Sequence, residues 1–220
     1  MGGMILKFFA RLFSRRKAHD PHSRPPVWPT REQIALLPPF DALGFDDILE
    51  ISTAPDARRA EEELMAAGVV GFDTESKPTF TKGHVSTGPH VAQFSTMERA
   101  YVFMLHDAES RRVVKALIAS KTLKKVGFGL GDDLKRIPIK LGVQPESVLD
   151  LETLFREKGH GRGVGVKVAI AITLKRRFMK SKKASTSNWA ARRLTDKQLL
   201  YAANDAYAAI CAFHALAKKR

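Results

Sequence analysis

Apolar positions along the chain fall into short runs separated by amphipathic stretches. ILEIST (48–53), VVGFDTE (69–75), VAQFST (91–96), AYVFML (100–105) and KKVGFG (124–129) are short and rich in β-branched and aromatic residues. Each reads as a strand. Only a tight turn joins the third to the fourth, so those two are predicted to pair antiparallel. APDARRAEEELMAAG carries helical periodicity and ends at Gly68, and ESRRVVKALIAS carries it again. GDDLKRIPIKLG reads as a helix directly after the fifth strand, and SVLDLETLFRE passes from strand into helix. TDKQLLYAANDAYAAICAFHALAKK is one long helix with Thr195 as its cap. A meander of strands followed by alternating strands and helices predicts an α/β fold. Its core is a mixed sheet of about five or six strands with helices on both faces.

The pattern is different before residue 43. DPHSRPPVWPT (20–30) is rich in proline and polar residues and reads as a linker. TREQIALLPP reads as one short helix, with Thr30 and Gln33 at capping-box spacing and Pro38 and Pro39 as its stop. The expected division is therefore a basic leader, linker and short helix over 1–42, and one folded domain over 43–220. In the leader, Ile5, Leu6, Phe8, Phe9, Leu12 and Phe13 alternate with Lys7, Arg11 and Arg15. We read it as a basic leader. An interfacial amphipathic helix over residues 4–17 and an organelle transit peptide are the alternatives. No apolar run reaches the roughly 20 residues of a membrane span.

Charge and cysteine usage narrow the classes. Of 220 residues, 37 are Lys or Arg and 23 are Asp or Glu, a formal net charge of +14. Such a surface attracts polyanions, nucleic acid above all. Between residues 156 and 183 ten basic residues face one acid, Glu157, and LKRRFMKSKK is the densest part. Cys211 is the single cysteine, which excludes an intrachain disulfide and a cysteine-based zinc site. Its apolar helical surroundings make it a small core residue, and a cytoplasmic setting is the expectation.

Carboxylates then stand out by position. Asp73 and Glu75 are two apart at the end of a strand, so their side chains share a face. Two adjacent carboxylates repel unless a cation lies between them, and divalent metal is a common answer, with a solvated strand end as the alternative. Asp205 lies within LLYAANDAYAAICAF, which has no Lys, Arg or Glu. A helix apolar all round is buried, and a buried carboxylate needs a metal, with an arginine from elsewhere in the fold or a loop to cap as the alternatives. Tyr201 is one turn earlier on the same face. In LGDDLKRIPIKL, Leu130, Leu134, Ile137 and Leu141 form one stripe. At 100° per residue Asp132 points away from it, toward Lys135 and Arg136, while Asp133 falls about 70° from its centre, at the edge of the core.

FDTE after a strand, VGFGLGDD after a strand and LLYAANDAYAA on a helix, in that order, resemble the DEDDy 3′–5′ exonucleases of the RNase H-like (DnaQ-like) superfamily. TSNWAARRLTDKQLLYAANDAYAA is particularly similar to the Werner exonuclease domain and the exonuclease domain-containing proteins, with Ser187, Asn188 and Trp189 before the last helix. Ribonuclease D is a more distant likeness. The resemblance spans about residues 45–217 and implies Asp73, Glu75, Asp133, Tyr201 and Asp205 as the catalytic set. It implies two divalent ions, Mg²⁺ or Mn²⁺. Asp73 would bridge them, Glu75 and Asp205 would hold the water-activating ion, Tyr201 would orient that water, and Asp133 would help anchor the second ion. Ser76-Lys77 departs from the tryptophan that many relatives carry after the first glutamate. The expected reaction is hydrolysis from a single-stranded nucleic-acid 3′ end to nucleoside 5′-monophosphates. DNA is slightly favoured over RNA, and no obligate protein partner is expected. Ribonuclease D-like trimming of RNA 3′ ends is the alternative, and a non-catalytic nucleic-acid-binding module the alternative of another class. Lys77, Lys82, Lys175, Arg176, Arg177, Lys180, Lys182 and Lys183 are candidate phosphate contacts. Phe80 and Phe178 are candidate stacking residues, with burial in the core as the other reading.

Overall fold

The computed structural model describes residues 28–79, 87–161 and 163–218. Within them the expected elements appear near their predicted positions, and two helices between residues 166 and 185 are additions to the expected set. After a short helix α1 (Arg31–Ala35) and a 3₁₀ turn (Phe45–Asp47) come β1 (Ile48–Ile51), α2 (Ala54–Ala67) and β2 (Val69–Glu75). Next are β3 (Val91–Ser95), β4 (Ala100–Met104), α3 (Ala108–Ala119), β5 (Lys124–Gly127) and α4 (Gly131–Leu141). The rest is β6 (Val148–Asp150), α5 (Leu151–Phe155) running into a π-helical turn (Arg156–His160), α6 (Val166–Leu174), α7 (Lys182–Ser185) and α8 (Asp196–Lys218). Thr30 and Gln33 close the capping box at α1. Gly68 ends α2 at φ 69°, a left-handed conformation that glycine adopts without a Cβ penalty.

The six strands form one sheet in the order β1-β4-β3-β2-β5-β6. β2, β3 and β4 make the antiparallel meander, while β1 joins β4, β5 joins β2 and β6 joins β5 in parallel. Alternation along the strands feeds two cores. Val70 and Phe72 of β2, Ala92 and Phe94 of β3 and Tyr101 and Phe103 of β4 pack against α2, α3 and α4. Val69, Val126, Val91 and Val102 face the other side, under α5, α6 and α8. Phe72, Phe94 and Phe103 are wholly buried; each such side chain contributes about 1.5–3 kcal/mol of transfer free energy.

Helix α8 lies unusually close to the sheet. A Cβ added to Gly71 would stand 1.8 Å from the carbonyl oxygen of Ala206, so only glycine permits this approach. Ala202, Ala203, Ala206, Ala208, Ala209 and Ala212 keep the helix side of the contact equally thin. Asn204 holds the chain before β1 in place: it accepts from the Leu43 N–H at 2.8 Å and donates to Leu43 O at 3.2 Å.

The described residues before Leu43 also pack on the domain. Trp28 Nε1–H donates to His160 O. Arg177 N–H donates to Pro38 O at 2.7 Å, and Phe40 N–H to Arg177 O at 3.0 Å. Phe40 meets Phe178 at 5.6 Å between ring centroids. The leader, including residues 4–17, lies outside the described residues, and among the described residues no helix is long and apolar enough to cross a membrane.

Candidate active site

Asp73 and Glu75 occupy the carboxyl end of β2, on the face covered by α8. Gly71, two residues earlier on that face, sets the distance between them and the helix. Asp205 immediately precedes Ala206, whose carbonyl Gly71 meets, so the same close approach delivers its carboxylate to the strand end. One oxygen from each of Asp73, Glu75 and Asp205 lies within 4.8 Å of the others. This is the spacing of ligands around a small hard cation, and carboxylate oxygens are the donors such ions prefer.

Asp133 arrives from the opposite side of β2. It sits in the first turn of α4, which follows β5, the parallel neighbour of β2. Thr74 points away from α8 and its hydroxyl donates to Asp133 Oδ1, tying the N-terminus of α4 beneath the strand end. Asp133 therefore borders the three-carboxylate group without joining its 4.8 Å cluster. Asp132 behaves as the helix phase predicts: its side chain is 75% exposed and pairs with Lys135 at 3.2 Å.

Burial and crowding act on all four acids. Burial, followed by the charges of Asp205 and Asp133, lifts Asp73 well above the usual carboxylate range. Burial and then Asp73 push Glu75 up to about 9. Burial also raises Asp205 and Asp133, with nearby Lys180 opposing it at Asp205 and the Thr74 hydroxyl at Asp133. Carboxylates so placed hold a proton or a cation, because concentrated negative charge out of water is costly.

Lys180 supplies a cation here. Its Nζ stands 2.7 Å from Asp205 Oδ2, with the two side chains 32% and 4% exposed. The contact is an ion pair, and the Lys180 ammonium and the Tyr201 hydroxyl both act on the Asp205 carboxylate. Nζ also lies 5.2 Å from the centroid of the Tyr201 ring. Tyr201 is buried one turn before Asp205, and burial and the Asp205 charge raise its hydroxyl pKa. The phenol therefore stays protonated at neutral pH. Trp189, wholly buried, backs the Tyr201 ring at 5.8 Å. The Ser-Asn-Trp turn is fastened to α8 by Gln198, whose Nε2 donates to Ser187 Oγ at 3.0 Å and to Asn188 O at 3.3 Å. Gln198 also closes a capping box with Thr195.

The candidate phosphate contacts separate into groups. Lys180 turns into the acid cluster. Arg177 is engaged by the N-terminal segment, donating from its guanidinium to Ala35 O at 2.6 Å, and Arg176 lies 3.7 Å from Asp41. Lys175, at φ 56°, ends α6 and is exposed, as are Lys182 and Lys183 on α7 and Lys77 after β2. Lys82 and Phe80 lie outside the described residues. Phe178 is 4% exposed in the core against Phe40, so of its two readings the core one holds.

Sequence reasoning missed two residues at this site. Thr74 carried no signal because a threonine on a strand is ordinary. Gln93 carried one: it is the only non-apolar residue among the first four of VAQFS. It pairs across the sheet with Asp73 and is wholly buried, and neither its Oε1 nor its Nε2 has a hydrogen-bond partner.

Comparison with known proteins agrees with this geometry. The family model described as 3′-5′ exonuclease matches residues 48–220. The mouse bifunctional 3′-5′ exonuclease/ATP-dependent helicase WRN is 29% identical over 155 residues, 70% of this chain and 11% of that protein. An Arabidopsis thaliana 3′-5′ exonuclease is 31% identical over 156 residues, 70% of this chain and 53% of the other. The chain thus spans about half or less of the length of these curated relatives. Among solved structures, the Aedes aegypti Nibbler EXO domain superposes with a TM-score of 0.67 at 20% identity, covering 80% of this chain and 89% of that one. Trypanosoma brucei RNase D with RNA U12 gives 0.67 at 21% identity, covering 79% and 63%; both likenesses concern the fold. With the family model spanning the whole sheet and α8, and with the acids gathered at the end of β2, the chain belongs to the DEDD-type 3′–5′ exonucleases of the RNase H-like superfamily.

Proposed function

We propose that the protein removes nucleotides one at a time from a single-stranded 3′ end, using two divalent ions, Mg²⁺ or Mn²⁺, and releasing nucleoside 5′-monophosphates. The observation that carries this reading is the group of three carboxylates within 4.8 Å, half-buried to buried where the end of β2 meets α8. Asp73, Glu75 and Asp205 fit a hard divalent cation by donor type and spacing. Asp133 would add a fourth carboxylate from the α4 side. Bound there, such ions would acidify water and stabilise charge on a phosphodiester.

The chain's own groups account for the rest. Tyr201 is a protonated phenol, so it can orient a water through hydrogen bonds but cannot serve as a base. Trp189 fixes the ring and Gln198 fixes the turn that carries Trp189, so the hydroxyl is preset. In the reaction water oxygen bonds to the terminal phosphorus and the P–O3′ bond breaks. The shortened strand keeps a 3′-hydroxyl. Exposed Lys77, Lys175, Lys182 and Lys183 suit contacts to the incoming phosphates, which position the strand without reading its sequence.

DNA is the favoured substrate in this proposal, supported by the likeness to a helicase-linked exonuclease over most of this chain. Ribonuclease D-like RNA trimming is the second reading, favoured by the shared fold with RNase D. Matched 5′-labelled DNA and RNA strands, incubated with Mn²⁺ or with EDTA, separate them. A ladder shortening from the 3′ end, abolished by EDTA and by Asp73→Asn, is expected. Failure to shorten either strand would leave only a binding module, and faster loss of RNA would reverse the proposed preference.

A further inference from the structure

The acid cluster already contains a positive charge that belongs to the chain. Lys180 Nζ is 2.7 Å from Asp205 Oδ2, and its charge also acts on Asp73. Three clustered carboxylates meet this ammonium, so it offsets at most one of their charges and the rest falls to protons or to a further cation. The two partners differ in freedom. Asp205 is fixed in the middle of α8 and 4% exposed, whereas the Lys180 side chain is 32% exposed and has a path to solvent. The backbone on either side of Lys180 is held. Three residues earlier Arg177 is bonded to Pro38 and Phe40, and one residue later the Ser181 hydroxyl accepts from Ala184 N–H to cap α7. Any movement of the ammonium is therefore a side-chain swing, not a loop opening.

We propose that Lys180 is an internal counter-ion, which occupies the cation position beside Asp205 in the metal-free protein and is displaced toward solvent when a divalent ion enters. This rests on the metal-dependent reading above. An ammonium and a divalent ion cannot both sit against one buried carboxylate without repelling each other strongly. Each weakens the other's hold on Asp205, and the coupling is reciprocal. Lys180 thereby protects the emptied site from its own repulsion and sets a threshold for metal uptake. The ring of Tyr201, 5.2 Å away, gives the ammonium a second favourable contact in the metal-free position.

The test uses the full chain. Mn²⁺ is titrated calorimetrically into the wild type, Lys180→Met and Lys180→Arg, and each is melted in EDTA. Lys180→Met should bind Mn²⁺ about tenfold more tightly, melt at a lower temperature in EDTA and recover fully with Mn²⁺. Lys180→Arg should keep the EDTA melting temperature and bind Mn²⁺ more weakly than wild type, because a guanidinium grips a carboxylate through two bonds. Unchanged or weaker Mn²⁺ binding by Lys180→Met overturns the proposal, as does unchanged melting in EDTA. If Lys180→Met yields no soluble protein, the arginine variant decides, and tighter Mn²⁺ binding there overturns it. No Mn²⁺ uptake by the wild type would bring down the metal reading itself.

Discussion

Raising the pH of the metal-free protein should destabilise it, and Glu75 sets the scale. Its carboxyl is held up at about 9 in the folded chain, against an ordinary value of 4.5, first by burial and then by Asp73 and Asp205. A folded-state pKa above the unfolded one means that the native protein binds the extra proton. That stability is complete below about pH 4.5 and is lost as pH climbs through about 9. For a group titrating alone, each unit is worth about 1.4 kcal/mol, which puts the ceiling near ~6 kcal/mol. Glu75 does not titrate alone. Asp73 and Asp205 share its environment, and the Lys180 ammonium offsets part of the accumulating charge, so a loss of about 2–3 kcal/mol between pH 5 and 9 is the working figure. In a domain of this size that is a fall of roughly 5–10 °C in melting temperature.

Divalent ions should reverse the sign. Metal binding requires the carboxylates to be ionised, so the stabilisation by Mg²⁺ or Mn²⁺ grows over the pH range in which the metal-free protein weakens. Melting curves in EDTA and in Mn²⁺ from pH 5 to 9.5 measure both effects, and Glu75→Gln provides the control. With a neutral amide in place of the acid, the EDTA curve should be much flatter and the Mn²⁺ rescue smaller. If the wild type in EDTA holds its melting temperature to pH 9, or Glu75→Gln declines as steeply as wild type, the cluster is not the strained anionic site described.

Other substitutions probe separate parts of the argument. Asp133→Ala should lower cleavage about 100-fold or more, while Asp132→Ala, whose salt bridge is exposed, should stay within about twofold in steady-state assays; equal losses would overturn the assignment. Gly71→Ala would force a Cβ against the Ala206 carbonyl and should cost about 3 kcal/mol or more by urea denaturation. Gln93→Met removes two unpartnered buried polar atoms, so the metal-free protein should gain about 1–2 kcal/mol; a drop in the EDTA melting temperature would show that the amide has a structural partner. Arg177→Ala should lower thermal stability while leaving the salt dependence of strand binding unchanged, whereas Lys182→Ala with Lys183→Ala should leave stability unchanged and reduce the salt slope by about one per lost phosphate contact.

How far the site could be read from the chain depends on which forces are local. The strands and helices were legible because their signals lie within a few residues: the alternation in VVGFDTE, the Thr195 cap, the Gly68 stop. Asp205 was legible because a carboxylate in an apolar helix creates a need that must be met, and the sequence offered a metal, an arginine from elsewhere or a loop to cap as the answers. The structure gives spacing suited to the metal, and the basic partner it supplies is a lysine, Lys180, where an arginine was expected. Lys180 itself could not be singled out from LKRRFMKSKK, where it is one of six basic residues. Its selection follows from long-range packing. Arg177 is held by Pro38 and Phe40, more than 130 residues earlier, Phe178 is buried against Phe40, and only then does Lys180 meet Asp205. The same limit hid Thr74, whose importance arises when β5 pairs beside β2 and places the first turn of α4 below it. Helix phase placed Asp133 at the core's edge but could not say from which side of β2 it would arrive. It comes from below, while Asp205 comes from above, and the charges of both act on Asp73 between them, so the two sides meet at the strand end. A double-mutant cycle between Thr74→Val and Lys180→Met, read as metal-free melting temperature, should therefore be non-additive by more than about 0.5 kcal/mol; additivity would mean that the two faces of β2 act on the cluster separately.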